Sequence, residues 1–205
     1  MFPDLLRDDV FRLETRRLWL RWPRAGDVAL IARLLGERDV AEMTAHAPHP
    51  YPPGAAAEFV LKARADNMGG EDLVLVLAPK ARPTEMIGAI GLHRSGERDA
   101  RLDFWLGKPF WSQGYMSEAA RSLVDTAFSL TDLAAVHAVA RQGDAAARHL
   151  LEACGFRAAG PGVETAPARG GTIPVERFLL SRGREASVGA DITGADLFPP
   201  HMQTA

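Results

Sequence analysis

The sequence predicts one domain of the α/β class, built on a mixed sheet. Its 205 residues are enough for one domain with a substantial core and are short for two. Hydrophobic residues make up 47% and charged residues 24%, which is typical of a globular chain. The predicted elements run in the order strand, helices, three strands, helix, strand, helix and two strands. This alternation favours helices packed on a sheet.

The first elements follow from the spacing of apolar residues. Apolar and polar side chains alternate over residues 15–23, which predicts a half-buried strand ended by a proline. Residues 26–36 have helical spacing, with Asp27 suited to the N-cap and Gly36 to the C-terminal stop. A second, short helix is predicted through Met43. The chain therefore begins with a strand followed by two helices.

The middle of the chain contains the clearest strand signals. Residues 46–54 include four prolines and cannot form regular structure, because proline removes a hydrogen-bond donor and restricts the backbone. A helix is predicted over 55–68. Three strands are then predicted, over 72–78, 85–93 and 100–107. Gly88 and Gly91 in the second of these indicate a bulge or a close approach of another backbone.

The last part of the domain alternates between the two kinds of element. A helix follows Gly114, a strand is predicted over 133–140 and a helix over 144–154, which exits through Gly155 and Phe156 into another strand. A glycine- and proline-rich loop is predicted over 160–171, and a final strand over 172–181. The domain is thus placed at residues 13–181, between a lead-in (1–12) and a C-terminal extension (182–205).

Composition excludes several function classes. The formal net charge of −2 argues against a general nucleic-acid binder, which needs a basic surface to displace counterions. No segment approaches the ~20 apolar residues of a membrane helix, and no secretory signal is evident, so a cytoplasmic protein without membrane contact is expected. The single cysteine, Cys154, offers neither a disulfide nor a zinc cluster. His46 and His49 have no carboxylate arranged beside them, so no metal site is predicted.

The segment WSQGYMSEAARSLV (111–124) places Gly114 at the junction between a strand and an alanine-rich helix. The first turn of a helix has N–H groups without intrahelical partners, and the helix dipole adds positive charge there, so a phosphate or diphosphate satisfies both. Gln113 and Ser117 add side-chain donors. The alternative is that Gly114 simply begins a buried helix.

Several ordered pieces of the sequence resemble one family. DFWLGKPFWSQGYMSEAARSLVDTAF (103–128) is similar to the acetyl-CoA signature of the GNAT acetyltransferase superfamily, in the RimJ/RimL-type branch that acetylates the N-termini of ribosomal proteins. LETRRLWLR (13–21), HPYPP (49–53) and LEACGF (151–156) resemble the same branch in the same order. The resemblance covers about residues 13–181.

The resemblance implies a mostly antiparallel sheet flanked by helices, with one splayed pair of parallel strands. The strand ending at residues 105–107 and the 133–140 strand would form that pair, and the pantetheine arm of acetyl-CoA would lie between them. Backbone N–H groups of residues 113–118 would hold the diphosphate. The cofactor-binding residues expected on this basis are Trp105, Leu106, Gly107, Gln113, Gly114, Tyr115, Met116, Ser117, Glu118 and Asp144. Asp144 is equally suited to capping the helix that it precedes.

The catalytic groups are less clear, because the sequence departs from the family pattern. A serine that serves as an acid in some relatives corresponds to Ala147, and a frequent carboxylate corresponds to Arg101. Asp103 lies two residues further on the same face of the strand. It is therefore a candidate base, or else the partner of Arg101 in a surface ion pair. His93 is the second candidate, because the ordinary pKa of histidine, ~6.5, suits proton transfer near neutrality, although a structural role is also open.

The expected function is that of an acetyl-CoA-dependent N-acetyltransferase, in which a primary amine attacks the thioester directly. The acceptor would be a protein N-terminus or a small-molecule amine, and a homodimer is possible. Arg169, in the predicted 160–171 loop, would either be solvated or face an acidic acceptor. The alternative function is a non-catalytic acyl-CoA-binding module, which the alanine at 147 and the arginine at 101 favour. Turnover with a panel of amines distinguishes the two.

Overall fold

The computed structural model describes residues 11–183 and shows one eight-stranded sheet with helices on both faces. The strands lie in the order β1-β2-β3-β4-β5-β6-β8-β7. They are β1 Arg12–Glu14, β2 Leu18–Arg21, β3 Leu73–Pro79, β4 Gly88–Arg94, β5 Asp99–Leu106, β6 Ala135–Arg141, β7 Arg157–Ala166 and β8 Gly171–Ser181. The predicted lead-in and C-terminal extension lie almost entirely outside the described residues.

Within residues 11–183, five α-helices cover the sheet. They are α1 Val28–Gly36, α2 Arg38–Met43, α3 Ala55–Gly69, α4 Tyr115–Leu130 and α5 Ala145–Ala153. One apolar core joins α4 and α5 to the sheet, and a second joins α1, α2 and α3 to it. Alternate residues of a strand serve the two cores: Leu75 belongs to the first and Val76 to the second. No helix within residues 11–183 is long and apolar enough to cross a membrane.

The sheet is antiparallel except for one pair, which confirms the predicted mixed sheet. β5 and β6 run parallel and pair from Asp99 opposite Ala135 to Leu102 opposite Ala138. Both strands continue beyond that point without pairing to each other, while β5 stays paired to β4 and β6 to β8. The parallel strands therefore splay after Leu102, as the resemblance implied.

Two sequence predictions differ from the structure in detail. The strand predicted over 15–23 is shorter, β2 Leu18–Arg21, because residues 15–17 form the turn from β1, where the Thr15 N–H donates to the Leu18 carbonyl (3.0 Å). Most of the loop predicted over 160–171 is β7, which pairs with β8 as far as Ala166 opposite Gly171. β7 is an edge strand, where proline is tolerated, and a register shift between Ala158 and Gly160 accommodates the irregular sequence.

Asp27 has a different role from the one predicted. Its side chain makes no cap hydrogen bond to α1. Its carboxylate instead pairs with the Arg21 guanidinium through two 2.8 Å hydrogen bonds and accepts the Arg24 backbone N–H (2.7 Å). Both Arg21 and Asp27 are buried, and a buried charge of this kind is tolerated only when paired. Asp27 thus joins β2 to the turn that precedes α1.

Candidate active site

A cleft of about 1200 Å³ opens where β5 and β6 separate. It has two parts. The loop half is lined by residues 104–106 of β5, by Ser112 and by residues 114–117. The ionic half lies on the side of the sheet covered by α1, α2 and α3, and it is lined by His46, His93, Arg101, Asp103 and Glu164.

The splay leaves backbone groups of β5 facing the gap. The Gly107 N–H donates to the Ile87 carbonyl (2.9 Å), so odd-numbered residues of this strand direct their backbone groups towards β4. The N–H groups of Phe104 and Leu106 consequently face the gap. The Leu106 carbonyl accepts a hydrogen bond from the Trp111 indole (2.6 Å). An extended ligand is able to pair with the remaining groups as a strand would.

Gly88 allows β4 and β5 to approach each other at this position. A β-carbon on Gly88 would lie 2.4 Å from the Trp105 carbonyl oxygen and 3.0 Å from the Leu106 α-carbon. Both are backbone atoms of the paired strand, so neither can move aside cheaply. The glycine in the predicted strand therefore marks a close backbone approach.

The loop before α4 presents a group of free amides. Ser112 and Gly114 both adopt left-handed conformations, with φ of 59° and 74°, and α4 begins at Tyr115. Within residues 11–183, the N–H groups of residues 114–117 donate to no protein acceptor. Glu118 is the first residue of α4 whose N–H has an acceptor, the Gly114 carbonyl (3.2 Å). Four unsatisfied N–H groups at a helix N-terminus are suited to binding an anion.

Arg17, in the β1–β2 turn, holds this loop in place. Its guanidinium donates to the Gln113 carbonyl (2.8 Å) and to the Glu118 carboxylate (2.7 Å), and it lies over the Tyr115 ring at 4.4 Å. Thr15 and the Arg17 backbone N–H also donate to Glu118. Burial raises the pKa of Glu118, but these hydrogen bonds and the Arg17 charge outweigh it and lower the pKa. Sequence reasoning missed Arg17, because 101 residues separate it from Glu118.

Three of the predicted cofactor-binding residues do not line the cleft. The Glu118 side chain faces Thr15 and Arg17 instead. The Gln113 side chain donates to the Pro109 carbonyl (2.8 Å). Gly107 is buried beneath α1, where a β-carbon would lie 2.8 Å from a methyl group of Leu34. The residues of that prediction that do line the cleft are Trp105, Leu106, Gly114, Tyr115, Met116, Ser117 and Asp144.

The start of α5 forms the wall of the cleft beside β6. The Asp144 carboxylate accepts the Ala147 N–H (2.9 Å), so Asp144 is the N-cap of α5. Asp144, Ala146, Ala147 and His149 line the cleft. Ala147 offers no hydroxyl, and its side chain therefore has no proton to donate.

Asp103 lies at the start of the splay, in a cluster of charged side chains. Its carboxylate accepts the Arg101 Nε–H (2.9 Å), and its second oxygen lies 3.6 Å from His46 Nε2 and 3.9 Å from His93 Nε2. Arg101 also pairs with Glu164 of β7 (3.2 Å). Burial raises the pKa of Asp103, but the contact with His46 and the charges of Arg101 and His93 outweigh it and hold the pKa far below its usual range. Asp103 is therefore an ionised but weak base.

His93 is oriented by Asp72. The His93 Nδ1 lies 2.6 Å from one oxygen of Asp72, whose other oxygen accepts the Arg94 N–H (3.0 Å). The ring lies over Gly91, where a β-carbon would be 2.8 Å from His93 Nε2. Burial lowers the pKa of His93, but the hydrogen bond to Asp72 and the charges of Asp103 and Asp72 outweigh it and raise the pKa. Asp72 was not identified from the sequence, because only the pairing of β3 with β4 brings it to His93.

The remaining candidates from the sequence line the cleft or pair with other residues. The segment 46–54 contributes His46, Ala47, Pro48 and Tyr51 to the cleft wall. Arg169 donates to the backbone carbonyl of Glu42 (3.0 Å) and pairs with its carboxylate (3.3 Å). Its position is therefore explained by Glu42, and by neither of the predicted roles, solvation or contact with an acidic acceptor. Within residues 11–183, no group of three or more histidine, cysteine or acidic side chains is arranged to hold a metal ion.

Comparison with known families identifies the domain. The family model described as the acetyltransferase (GNAT) domain matches residues 17–157, more than half of the chain. The chain belongs to the GNAT acetyltransferase family. A search of curated proteins gives no significant match to the sequence.

Solved GNAT structures share the fold of this chain at low sequence identity. Spermidine N-acetyltransferase from Vibrio cholerae, solved with CoA and spermine, is 20% identical, with a TM-score of 0.68, over 80% of this chain and 95% of that one. The ribosomal-protein-S5-alanine acetyltransferase from Vibrio fischeri is 16% identical, with a TM-score of 0.71, over 83% and 96%. Mycobacterium smegmatis RimJ, solved with CoA-disulfide, is 18% identical, with a TM-score of 0.71, over 83% and 87%. Identities this low support a shared fold and leave the substrate open.

Proposed function

We propose that this GNAT protein is an N-acetyltransferase that transfers the acetyl group of acetyl-CoA to a primary amine by direct attack. The observation that carries the proposal is the continuity of one cleft. It joins the unsatisfied amides before α4, the splayed strands and the ionised cluster around Asp103. These three parts of the cleft suit, in that order, an anion, an extended arm and a reacting amine.

The loop half is proposed to bind acetyl-CoA. The N–H groups of residues 114–117 would hold the diphosphate, and the pantetheine arm would lie along residues 104–106 and beside Asp144. Three of the predicted residues do not line the cleft and would instead fix the shape of the loop: Gly107, Gln113 and Glu118. Solved relatives bound to CoA support this assignment.

The backbone of β5 is proposed to assist the chemical step. Acetyl-CoA supplies an activated thioester carbonyl, whose oxygen becomes negatively charged as the amine attacks. The Phe104 N–H faces the gap at the start of the splay and is free to donate to that oxygen, which is oxyanion-type stabilisation. Such a donor is most effective in a site shielded from water.

His93 is proposed as the general base, and Asp103 as an anion that keeps the acceptor ammonium and the imidazolium nearby. His93 receives the proton of the acceptor at Nε2, while Asp72 holds Nδ1. Asp103 is the weaker candidate because its pKa is strongly lowered. Ala147 cannot protonate the departing thiolate, so water is proposed to do so.

The second candidate is a non-catalytic acyl-CoA-binding module. The observation that favours it is the absence of a hydroxyl at Ala147, together with the arginine at position 101 that suppresses the basicity of Asp103. On this account the cleft binds the cofactor and His93 only supports the fold.

Turnover of acetyl-CoA separates these functions. The protein is mixed with acetyl-CoA and a panel of primary amines that includes short peptides, polyamines and amino acids, and release of free thiol is followed. Acetylation of at least one amine is expected, and its loss in His93→Gln supports the catalytic role. Tight CoA binding by calorimetry without acetylation of any panel member would favour the binding module. The cytoplasmic location and the homodimer stay predictions.

A further inference from the structure

Among the described residues that line the cleft, one arginine has no carboxylate partner. Arg141 ends β6 and lines the cleft. Within residues 11–183, no carboxylate lies within salt-bridge distance of it. The other lysine and arginine side chains that line the cleft all have carboxylate partners: Lys62 with Asp66, Arg94 with Glu71, and Arg101 with both Asp103 and Glu164.

The surroundings of Arg141 leave hydrogen-bonding capacity unused. Its Nε is shielded from solvent and has no hydrogen-bond partner in the described part of the chain. Its Nη2 contacts the sulfur of Met43 in α2 at 3.8 Å, and a thioether is a weak acceptor. A partly buried cation in this state is stabilised by an incoming anion, because desolvation disfavours a charge that has no partner.

Arg141 faces the ionic half of the cleft. Ala138 and Ala140 of β6 belong to the core beneath α4 and α5, so Arg141, one residue further, points to the opposite face. Its contact with Met43 agrees with this direction. If the register of the parallel pair is continued from Leu102 opposite Ala138, Arg141 is level with Trp105. That is two residues, or about 7 Å, beyond Asp103 along the strands.

We propose that Arg141 binds a carboxylate of the acceptor, and that the acceptor is a primary amine with a carboxylate a few bonds away. This inference rests on the proposed function. The amine would lie near Asp103 and His93, and the carboxylate would accept two parallel hydrogen bonds from the N–H groups of the Arg141 guanidinium. Arg101 offsets one of the two negative charges of Asp103 and Glu164, and the ammonium of the acceptor would face the other, so the two carboxylates oppose the carboxylate of the acceptor only weakly. Peptides with an N-terminal acidic residue and free acidic amino acids both meet this description.

Matched acid and amide acceptors test the inference. Acetylation is measured for peptides that begin with Glu or Gln and are otherwise identical, and for free glutamate against glutaminamide, which has no carboxylate. The wild-type protein is expected to prefer the acid in at least one pair, through a lower acceptor KM. Arg141→Gln is expected to reduce that preference by about tenfold, as for loss of a charge-assisted hydrogen bond, with the KM for acetyl-CoA unchanged. Arg141→Glu should reverse the preference.

Arg94→Gln is the matched control, because Arg94 also lines the cleft but is paired with Glu71. It should leave the acid preference unchanged. The inference is overturned if acid and amide acceptors react equally with the wild-type protein, or if Arg141→Gln slows both members of a pair alike. An increase in the KM for acetyl-CoA in Arg141→Gln would also overturn it, since Arg141 would then contact the cofactor. If no amine is acetylated by the wild-type protein, the proposed function itself fails.

Discussion

The loop half of the cleft is made mainly of backbone groups from one continuous stretch, residues 104–117, whereas the ionic half is made of side chains from β4, β5, β7 and the segment before α3. The free amides before α4 exist because a helix begins there, whatever the rest of the fold does. The pairing of Asp72 with His93, and of Arg101 with Glu164, exists only because the sheet places distant strands side by side. We therefore expect cofactor binding to be less sensitive to substitutions in distant segments than acceptor binding and catalysis are.

The largest effect is expected from placing a negative charge in the loop half. Gly114→Asp should weaken CoA binding about 100-fold, since the new carboxylate repels the diphosphate and a side chain is strained at φ 74°. Gly114→Asn is the matched control, with the same size and no charge, and should lose about tenfold. Calorimetry with CoA measures both. Equal losses would show that the charge is irrelevant and that the anion site is misplaced.

Removing the proposed base tests the ionic half. His93→Gln should lower kcat by about 100-fold, at the low end of the range for general bases, with little change in the KM for acetyl-CoA. His46→Gln is the control, because His46 also lies close to Asp103 but is more exposed. Steady-state kinetics at several pH values supply the comparison. A similar, small loss in both variants would exclude His93 as the base.

The pH profile separates the two candidate bases. His93 must be neutral to accept a proton, and its pKa is raised, so kcat/KM should fall with decreasing pH beginning above the ordinary histidine pKa of ~6.5. Asp72→Asn removes the hydrogen bond and charge that raise this pKa and should move the fall to lower pH. Asp103→Asn should move it in the same direction by a smaller amount. If Asp103 were the base, kcat/KM would stay level through this pH range, because the pKa of Asp103 lies far below it, and Asp103→Asn would cause the larger loss of activity.

A moderate effect is expected where the N-terminal hairpin supports the loop half. Arg17→Gln removes the contacts with the Gln113 carbonyl, the Glu118 carboxylate and the Tyr115 ring. The KM for acetyl-CoA should rise about fivefold while kcat changes little, and this rise is smaller than the loss of a direct charge-assisted hydrogen bond would cause, because Arg17 acts on the cofactor only through the loop. Arg16→Gln, at an exposed neighbouring position, is the control. An unchanged KM in Arg17→Gln would mean that the loop holds its shape without the hairpin.

The smallest effect is expected at the cap of α5. Asp144→Ala should cost about 1 kcal/mol of unfolding free energy, because the Ala147 N–H loses its acceptor. Asp144→Asn keeps a good cap and should be close to neutral. Chemical denaturation measures both. If Asp144→Asn preserves stability but weakens CoA binding, Asp144 contacts the cofactor as well as capping the helix.

Local patterns predicted most of the fold and the loop half of the site. Helical spacing located α1, helices were also predicted where α2 and α3 lie, and the glycine at position 114 marked the start of α4. The prediction failed at 160–171, because pairing with β8 makes a strand of a segment whose glycines and prolines favour a loop. It also assigned Asp27 to a helix cap, since nothing nearby in the sequence reveals its buried pairing with Arg21 across the turn.

The ionic half could be predicted only in part from the sequence. His93 and Asp103 were identified as candidates from their strand positions, but the order of preference between them depends on charges that arrive from elsewhere. Arg101 and the two histidines lower the pKa of Asp103, and Asp72 raises that of His93.

By itself, the sequence determined most of the elements and the helix start that supplies free amides, because these depend on neighbours within a few residues, and it determined the family through motifs that follow one another in order. Only the tertiary structure decided which charges meet in the cleft, that Arg17 supports the loop and that Arg141 lacks a carboxylate partner among residues 11–183. Those properties depend on distances between segments that are far apart in the chain, and the electrostatic energy of a charge is set by whatever the fold brings within a few ångströms of it.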